Sequence, residues 1–451
     1  MDFSVAVPRH AARVITLLEQ VGFEAWVVGG CVRDSLLGRT PLDWDVTTSA
    51  TPTEVLAALQ GIRVVPTGIQ HGTVTAVLEE GNIEITTYRA DGAYTDHRRP
   101  DSVRFSRVLK DDLARRDFTV NAMAYHPSRG LIDAFGGLAD LKRCSLRAVG
   151  DPTRRFNEDA LRILRCVRFA AVLGFEIEPE TAKAAAALRA LLKDISRERI
   201  GDELTKLLCG ENAAEVLRNY AEIIFTAVPE LAPMAECAQE TPFHCYNAWE
   251  HTLHTLEAVK PDPIVRWAAL LHDCGKPETK SFDEKGIAHF YGHSSRSEAL
   301  SREILEGLRF SRRECDEICQ LVAMHMELLP PTEKRLKRLL GKLGEEQLFR
   351  LLELIRGDWA GLSPTFLPER SPALEETLER AKALLESSSA LTLKDLAVNG
   401  RDLMELGFVP SPALGQALET LLDEVLEGKL ENTKEALLER AARARAGQDA
   451  P

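Results

Sequence analysis

Apolar positions recur at helical spacing through residue 22, and at Trp26 the rhythm changes. Trp26, Val27 and Val28 form a short apolar run that reads as a buried strand. Gly29 and Gly30 follow it, a pair that lets the backbone turn sharply and approach a ligand, such as a phosphate, with no Cβ in the way. Residues 32–37 read as a short helix and 38–41 as a turn. Asp43 and Asp45 then fall at i and i+2 on a second strand, so both carboxylates project from one face. Residues 73–89 read as two strands around a Gly81-Asn82 turn, with Glu84 pointing away from Ile83 and Ile85. Residues 90–100 lack periodicity and are rich in turn formers, which predicts a loop. From Asp151 strand signals stop and helical periodicity takes over, with Asn157 as the N-cap and Glu158 and Asp159 in the first turn of a helix.

With 451 residues, 45 % of them hydrophobic, the chain can furnish several cores. The N-terminus lacks the unbroken apolar stretch of a signal peptide, and no segment reaches the roughly 20 apolar residues of a membrane span. Nine cysteines without a Cys-x-x-Cys pair fit reduced thiols in a cytoplasmic protein. The net charge of −13 argues against a generic nucleic-acid coater. Its distribution changes that picture: between Arg89 and Arg168, 17 Lys and Arg stand against 11 Asp and Glu, a local surplus of 6 that leaves −19 for the rest. A basic tract beside a carboxylate pair is what a polyanionic primer needs.

The carboxylate pair itself calls for cations. Asp43 and Asp45 repel one another, and hard ions such as Mg²⁺ relieve that, which is the two-metal arrangement of phosphoryl and nucleotidyl transfer. In the basic tract, Arg115, Arg116, Asp117 and Asn121 offer guanidinium donors for phosphates and a carboxylate and amide for ribose hydroxyls. Beyond it, Asp159 and Arg162 are i and i+3, neighbours on one helical face, and Arg162, Arg165 and Arg168 recur at three-residue steps. A separate set of metal-type ligands begins at His251 and continues through His272-Asp273, His289, His293, His325 and Asp358, with His254 in the same region.

The run strand, Gly29-Gly30, helix, turn, Asp43-Trp-Asp45 closely resembles the polymerase-β-type head of the bacterial and eukaryotic tRNA nucleotidyltransferases (CCA-adding enzymes) and their poly(A) polymerase relatives. Arg115-Arg116-Asp117-x-x-x-Asn121-Ala matches that family's ribose-binding motif, and Glu158-Asp159-x-x-Arg162 its protein template for the incoming base. Glu198-Arg199-Ile-Gly201-Asp-Glu203 matches a neck motif that holds the template helix, and Gly136-Gly137 lies where head meets neck. The loop at 90–100 occupies the place of the family's flexible loop for adding the terminal A. His251, His272, Asp273 and Asp358 resemble the ligands of an HD-type phosphohydrolase domain, with His293 and His325 as additions.

The resemblance implies an α+β protein. A nucleotidyltransferase head (1–145) precedes an elongated helical neck (146–235), an HD-type domain (236–360) and a tRNA-contacting tail (361–451). Its catalytic residues are Asp43, Asp45 and Glu84, with Mg²⁺ on the Asp pair. Nucleotide is bound by Gly29, Gly30, Arg33, Arg115, Arg116, Asp117, Asn121, Asp159, Arg162, Arg165 and Arg168. A divalent metal occupies the HD site. The partners are CTP, ATP and the tRNA 3′ end, with no membrane, and the reaction is template-independent CCA addition with release of pyrophosphate. The alternatives are an A-adding enzyme or poly(A) polymerase, or an HD phosphohydrolase with a nucleotide-sensing head. Lys334-Arg335-x-Lys337-Arg338 adds a basic helix face. After Ser387-Ser-Ser389 and Leu391, the motifs at Asn399-Gly400-Arg401-Asp402 and Asn432-Thr-Lys434-Glu435 resemble the family's tail, although Ser411 to Gly415 replaces its glycine pair; the last six residues are expected to be disordered.

Overall fold

The computed structural model describes residues 5–91, 103–241, 243–363, 367–386 and 392–448. The chain divides into two compact units, Met1–Pro229 with Gly307–Arg309, and Glu230–Glu306 with Phe310–Pro451.

The first unit begins with a mixed sheet. Its strands are β1 (Ala25–Val28), β2 (Trp44–Thr48), β3 (Arg63–Gly68), β4 (Thr73–Leu78) and β5 (Gly81–Thr87); β6 (Arg89–Asp91) and β7 (Val103–Phe105) form a separate ribbon, and β8 (Met123–His126) and β9 (Gly130–Asp133) complete the sheet. The order is β3-β4-β5-β2-β1-β8-β9. Every pairing is antiparallel except β2 with β5, whose parallel register sets Asp45 opposite Glu84. All four residues of β1 are buried, as a central strand covered on both faces requires. Leu109 and Leu113, one turn apart on helix Leu109–Ala114, pack with Trp26, Val28, Tyr88 and Ala124.

Helices then take over, among them Pro152–Glu158, Leu161–Leu173 and Arg197–Leu208 in the first unit. Among its described residues the second unit is helical apart from a two-stranded β-ribbon, Ser281–Phe282 with Ala288–His289. Its helices Glu333–Leu343, Glu345–Ala360 and Leu367–Glu386 share one leucine-rich core, and the final helices share another around Leu403, Leu421 and Leu437. The α+β class with a polymerase-β-type head is therefore what the chain folds into. Among the described residues no helix is long and apolar enough to cross a membrane, and all nine cysteines are free thiols.

Local departures from the sequence reading have identifiable causes. The helix after the glycine pair is Gly30–Leu36, and Asp43 lies one residue ahead of β2. Leu78 pairs with Gly81, so the hairpin turn is Glu79-Glu80 and Gly81-Asn82 belong to β5. Asn157 is not an N-cap. Asp151 caps helix Pro152–Glu158 by accepting from the Thr153 amide, with Pro152 in the first turn where its missing N–H costs nothing. Asn157 sits inside that helix and donates to the Thr153 carbonyl. Of the loop at 90–100 only Ala90 and Asp91 are described, as the end of β6. Residues 92–102, Ser387 to Ser389, Leu391 and residues 449–451 lie outside the described residues, whereas 446–448 continue helix Lys434–Gln448.

Gly136-Gly137 forms a packed helix start. Gly136 adopts a left-handed φ of 80°, and the Asp133 carboxylate accepts from the Gly137 and Leu138 amides at 2.8 and 2.9 Å. A Cβ on Gly137 would lie 2.2 Å from the Thr119 carbonyl oxygen. Gly137→Ala is expected to cost about 1–3 kcal/mol of stability, since backbone must move to admit the methyl group. The midpoint of denaturant unfolding measures this, and an unchanged midpoint would refute the tight packing.

Candidate functional site

Buried β1 delivers the chain to Gly29, whose φ of 83° is open to glycine and strained for other residues. The absence of a side chain is used: a Cβ on Gly29 would lie 2.9 Å from Arg116 Nη1, so the guanidinium sits against the turn. Arg116 also faces Asp45 on β2. Burial, followed by the nearby charges of Glu84 and Asp43, raises Asp45 to about 6, and Arg116 only partly offsets this. Negative charge collected at one strand end and penalised for it is chemistry that suits a hard cation.

Arg115 and Arg116 are gripped from below by Asp112, which is fully buried. Arg115 Nε donates to Asp112 Oδ1 at 2.8 Å, while Thr47 Oγ1 and Arg116 Nη2 lie 3.0 and 3.4 Å from Oδ2. Asp117 accepts from the Phe118 amide at 2.7 Å, from Asn121 Nδ2 at 3.1 Å and from Arg165 Nε at 2.9 Å. Burial works against its charge, but Arg165 and the Asn121 amide hold it well below the usual carboxylate range. Asn121 Oδ1 in turn accepts from Arg33 at 2.6 Å, and Arg33 forms a two-pronged ion pair with Asp34. Arg168 extends the chain of charges by pairing with buried Glu203 at 2.8 Å and lying over the Phe169 ring.

Asp159 and Arg162 are not neighbours on one helical face. The helix is interrupted between Glu158 and Leu161, and Asp159 has an extended backbone. Its Oδ1 accepts from the Leu161 amide at 3.1 Å, which starts the next helix, and Arg199 lies 3.4 Å from Oδ2. Arg162 pairs with Glu158 at 3.0 Å and donates to the carbonyls of Arg155 and Arg115 at 3.1 and 2.8 Å. Each side chain is therefore held from behind by different partners.

In the second unit, helix Ala248–Ala258 brings His251, the end of Pro263–Leu271 brings His272 and Asp273, and Glu345–Ala360 brings Asp358. His251 Nε2 lies 2.9 Å from Asp358 Oδ1 and 3.3 Å from His272 Nε2. His293 and His325 join on the other side, 3.5 and 3.9 Å from Asp273 Oδ1. Two sets that share Asp273 thus converge, His251 with His272 and His293 with His325, each with its ligand atoms within 4.8 Å. The Nδ1 atoms of all four imidazoles sit 2.7–3.0 Å from backbone carbonyls, of Gly361, Ala269, Phe290 and Val322. That contact engages Nδ1–H and turns Nε2 toward the centre, the orientation a metal requires. Burial opposes charge on His272, yet Asp273 and Asp358 raise it to about 10, while burial lowers His325 to about 4. Among the described residues, Asp43, Asp45 and Glu84 do not converge as tightly as these sets.

The cluster floors a cavity of about 400 Å³ also lined by Phe243, His244, Phe290, Tyr291 and Lys276. His289 reaches the cavity but stacks on Tyr291, and His254 pairs with Glu250 away from it.

The Poly A polymerase head domain model matches residues 25–147, the tRNA nucleotidyltransferase domain 2 model residues 281–441, and the "Probable RNA and SrmB- binding site of polymerase A" model residues 174–233. The CCA-adding enzyme of Limosilactobacillus fermentum is 34 % identical over 435 residues, covering 96 % of each chain. That of Latilactobacillus sakei subsp. sakei is 36 % identical over 442 residues, 98 % of each. The chain belongs to the CCA-adding enzyme family. The crystal structure of the Bacillus stearothermophilus CCA-adding enzyme in complex with CTP superposes with a TM-score of 0.73 at 31 % identity, over 97 % of this chain and 98 % of that one. The Thermotoga maritima CCA-adding enzyme complexed with tRNA_CCA shares the fold, with a TM-score of 0.57 at 23 % identity over 98 % of this chain and 97 % of that one.

In this CCA-adding enzyme the basic helix face at Lys334–Arg338 is present and partly exposed, and its cations are paired with acidic neighbours. Lys334 pairs with Glu427, Arg338 with Asp423 and Arg335 with Glu327, and Lys337 reaches Glu333 and the Leu426 carbonyl. The two tail motifs meet, with Lys434 2.6 Å from Asp402 and Asn432 bridging the Asp395 carbonyl and the Ala397 amide. Sequence reasoning gave no role to Asp112, His244 or Lys276, and it placed Glu158 in the first turn of a helix, whereas Glu158 ends helix Pro152–Glu158 and pairs with Arg155 and Arg162. Asp112 stands three and four residues before the arginines it grips, a spacing that could have found it. Nothing local marks His244, whose ring lies edge-on to His251 at 5.2 Å.

The folded-state value of Asp45, about 6, lies above its ordinary 3.8. The folded chain therefore binds the extra proton, and the penalty for charging Asp45 sets in as pH rises through that window and is complete above it. In a chelator, Asp45→Asn is expected to stabilise the enzyme by about 2 kcal/mol at pH 8, the gain shrinking as pH falls through the window. Thermal unfolding across pH measures this; equal Tm values for mutant and wild type at every pH would contradict it.

Proposed function

We propose that the first unit adds C, C and A to the 3′ end of tRNA from CTP and ATP without a nucleic-acid template, releasing pyrophosphate. In this reading Asp43 and Asp45, with Glu84 beside them, hold two Mg²⁺ ions, an assignment supported by an all-oxygen ligand set and by the raised pKa of Asp45. Bound there, the ions lower the pKa of the primer hydroxyl and neutralise the triphosphate. Gly29 gives the backbone close approach, Arg116 and Arg115 take the triphosphate oxygens, and Asp117 and Asn121 fix the sugar.

The observation that carries the reading is how Asp159 and Arg162 are held. Cytosine and adenine each present an amino donor beside a ring-nitrogen acceptor, which one carboxylate and one guanidinium can pair. Uracil and guanine place a carbonyl where the amino group would be and face the carboxylate with a lone pair. Asp159 is braced by the Leu161 amide and Arg199, and Arg162 by Glu158 and two carbonyls, so neither has to be ordered when the base arrives. An unpaired buried donor or acceptor costs about 1–3 kcal/mol, enough for roughly tenfold to hundredfold selection per contact.

Incorporation of all four nucleotides into a tRNA primer ending at the discriminator base tests this. Asp43→Ala and Asp45→Ala should abolish addition of both C and A. Asp159→Ala should lose its preference over U and G by at least about tenfold, and Arg162→Ala should depress both correct additions. An Asp159→Ala enzyme that still excludes UTP and GTP as the wild type does would place selection elsewhere.

A second reading is carried by the imidazole cluster. Four Nε2 atoms turned to one centre and two carboxylates, Asp273 and Asp358, suit an HD-type divalent-metal site, with Lys276 2.6 Å from Asp273 as a cation for a phosphoester. His251, His272, Asp273 and Asp358 would hold the ion, and His293 and His325 complete the set. His272→Ala with Asp273→Ala is expected to remove bound metal, measured by elemental analysis, and any hydrolysis of small phosphoesters, while CCA addition continues. Metal content and hydrolysis equal to wild type would overturn it.

A further inference from the structure

The two arginines assigned above to the triphosphate are not independent. Both are tied to Asp112, whose side chain has no solvent exposure. Arg115 reaches Asp112 Oδ1 with both Nε, at 2.8 Å, and Nη2, at 2.7 Å, and Arg116 Nη2 lies 3.4 Å from Oδ2. The carboxylate also accepts from Thr47 Oγ1 at 3.0 Å. Thr47 is two residues from Asp45 on β2, hence on the same face of the strand. One buried group therefore spaces the carboxylate strand from the guanidiniums.

The connection continues at the end of the helix that carries Asp112. The Ala114 carbonyl accepts from Arg155 Nη1 at 3.0 Å, and the Arg115 carbonyl from Arg162 Nη2 at 2.8 Å. Arg155 and Arg162 are both paired with Glu158, beside Asp159. The backbone that orients Arg115 is thus the backbone against which Arg162 rests. A charge is an expensive way to join a helix to a sheet, since apolar residues of similar volume do so at least as well, and Leu109 and Leu113 already perform that task here. A buried carboxylate is, however, the group that fixes the direction of two guanidiniums at once.

We propose that Asp112 is a positioning residue, which sets Arg115 and Arg116 for the triphosphate and, through the carbonyls at its helix end, holds Arg162 for base selection. The proposal rests on the reading of Arg115 and Arg116 as triphosphate ligands. It adds that phosphate binding and base choice share one anchor, so damage to the anchor degrades both. Arg115 and Arg116 would remain present but less well directed.

The test uses the full chain with Mg²⁺ and compares wild type, Asp112→Asn, Thr47→Val and Arg116→Ala. Equilibrium binding of pyrophosphate reads the phosphate site without a base, and the ratio of kcat/KM for CTP over UTP on a tRNA primer reads selection. Asp112→Asn keeps the size and the acceptor for Thr47 but loses the charge. It is expected to weaken pyrophosphate about tenfold, to raise KM for CTP more than it lowers kcat, and to reduce the CTP-over-UTP ratio. Thr47→Val is expected to move all three in the same direction by a smaller factor, and it carries the test if Asp112→Asn does not fold. A folded Asp112→Asn, or failing that Thr47→Val, with wild-type pyrophosphate affinity and selection overturns the proposal. If pyrophosphate binding drops in Arg116→Ala but not in Asp112→Asn, the arginines bind phosphate and Asp112 is only structural. If Arg116→Ala leaves it unchanged, the reading of the triphosphate site fails and the positioning role fails with it.

Discussion

Asp117 is the carboxylate on which the first unit depends. It is buried, it comes from the segment ahead of β8, and the donors it needs come from two places: Asn121 and the Phe118 amide nearby, and Arg165 from helix Leu161–Leu173. A buried charge that loses its partner costs about 3–5 kcal/mol, so the helix bearing the arginines cannot drift from the sheet without leaving Asp117 exposed to that penalty. Arg33 and Glu203 extend the same alternation of sign in both directions. The arrangement places a layer of guanidiniums within reach of a carboxylate strand and keeps each one countered, which is the condition for collecting so many charges in one site.

The parts of this site legible in the sequence are those whose geometry is local. Trp26 to Val28 had to be a strand because the apolar run is short and ends in glycines, and the strand after the turn was legible too, although it begins at Trp44 and takes in Asp45 but not Asp43. Asp159 and Arg162 were identified as a pair from spacing and family likeness, but the helix on which that spacing depended is broken between them. The break is stabilised by the Asp159 side chain itself, which caps the following helix, and by Arg199, forty residues later. The pairing of the basic face at Lys334–Arg338 was out of sight for a similar reason. Its acidic partners Asp423 and Glu427 lie some ninety residues away, beyond any pattern a helix window can see. Ligand-type residues of the imidazole cluster were legible by kind, whereas the carbonyls that fix each ring could be found only in three dimensions.

The second unit shows what a buried cluster of titratable side chains costs a fold. Four imidazoles, two carboxylates and Lys276 are enclosed together, and burial, joined by the charge of His272 and, for His293, of Lys276, pushes His293 and His325 away from the charged form. Apolar side chains would pack there without that penalty. The cluster is therefore a local departure from the plain apolar core that the surrounding helices would otherwise prefer.

The parallel pairing of β2 with β5, the one such pairing in the seven-stranded sheet, has a consequence for how the enzyme comes into being. Asp45 and Glu84 face each other only after the β3–β4 hairpin has been laid down between them in sequence, and β1 gains its second neighbour only when Met123 to His126 have been made. Contacts of such long sequence separation form late, because the loops they close must be ordered first. On the ribosome, the strands that carry Asp45 and Glu84 are thus available to pair before β8 exists to cover the other edge of β1. A truncated head that stops short of β8 would leave β1 as a bare apolar edge, open to pairing with other nascent chains.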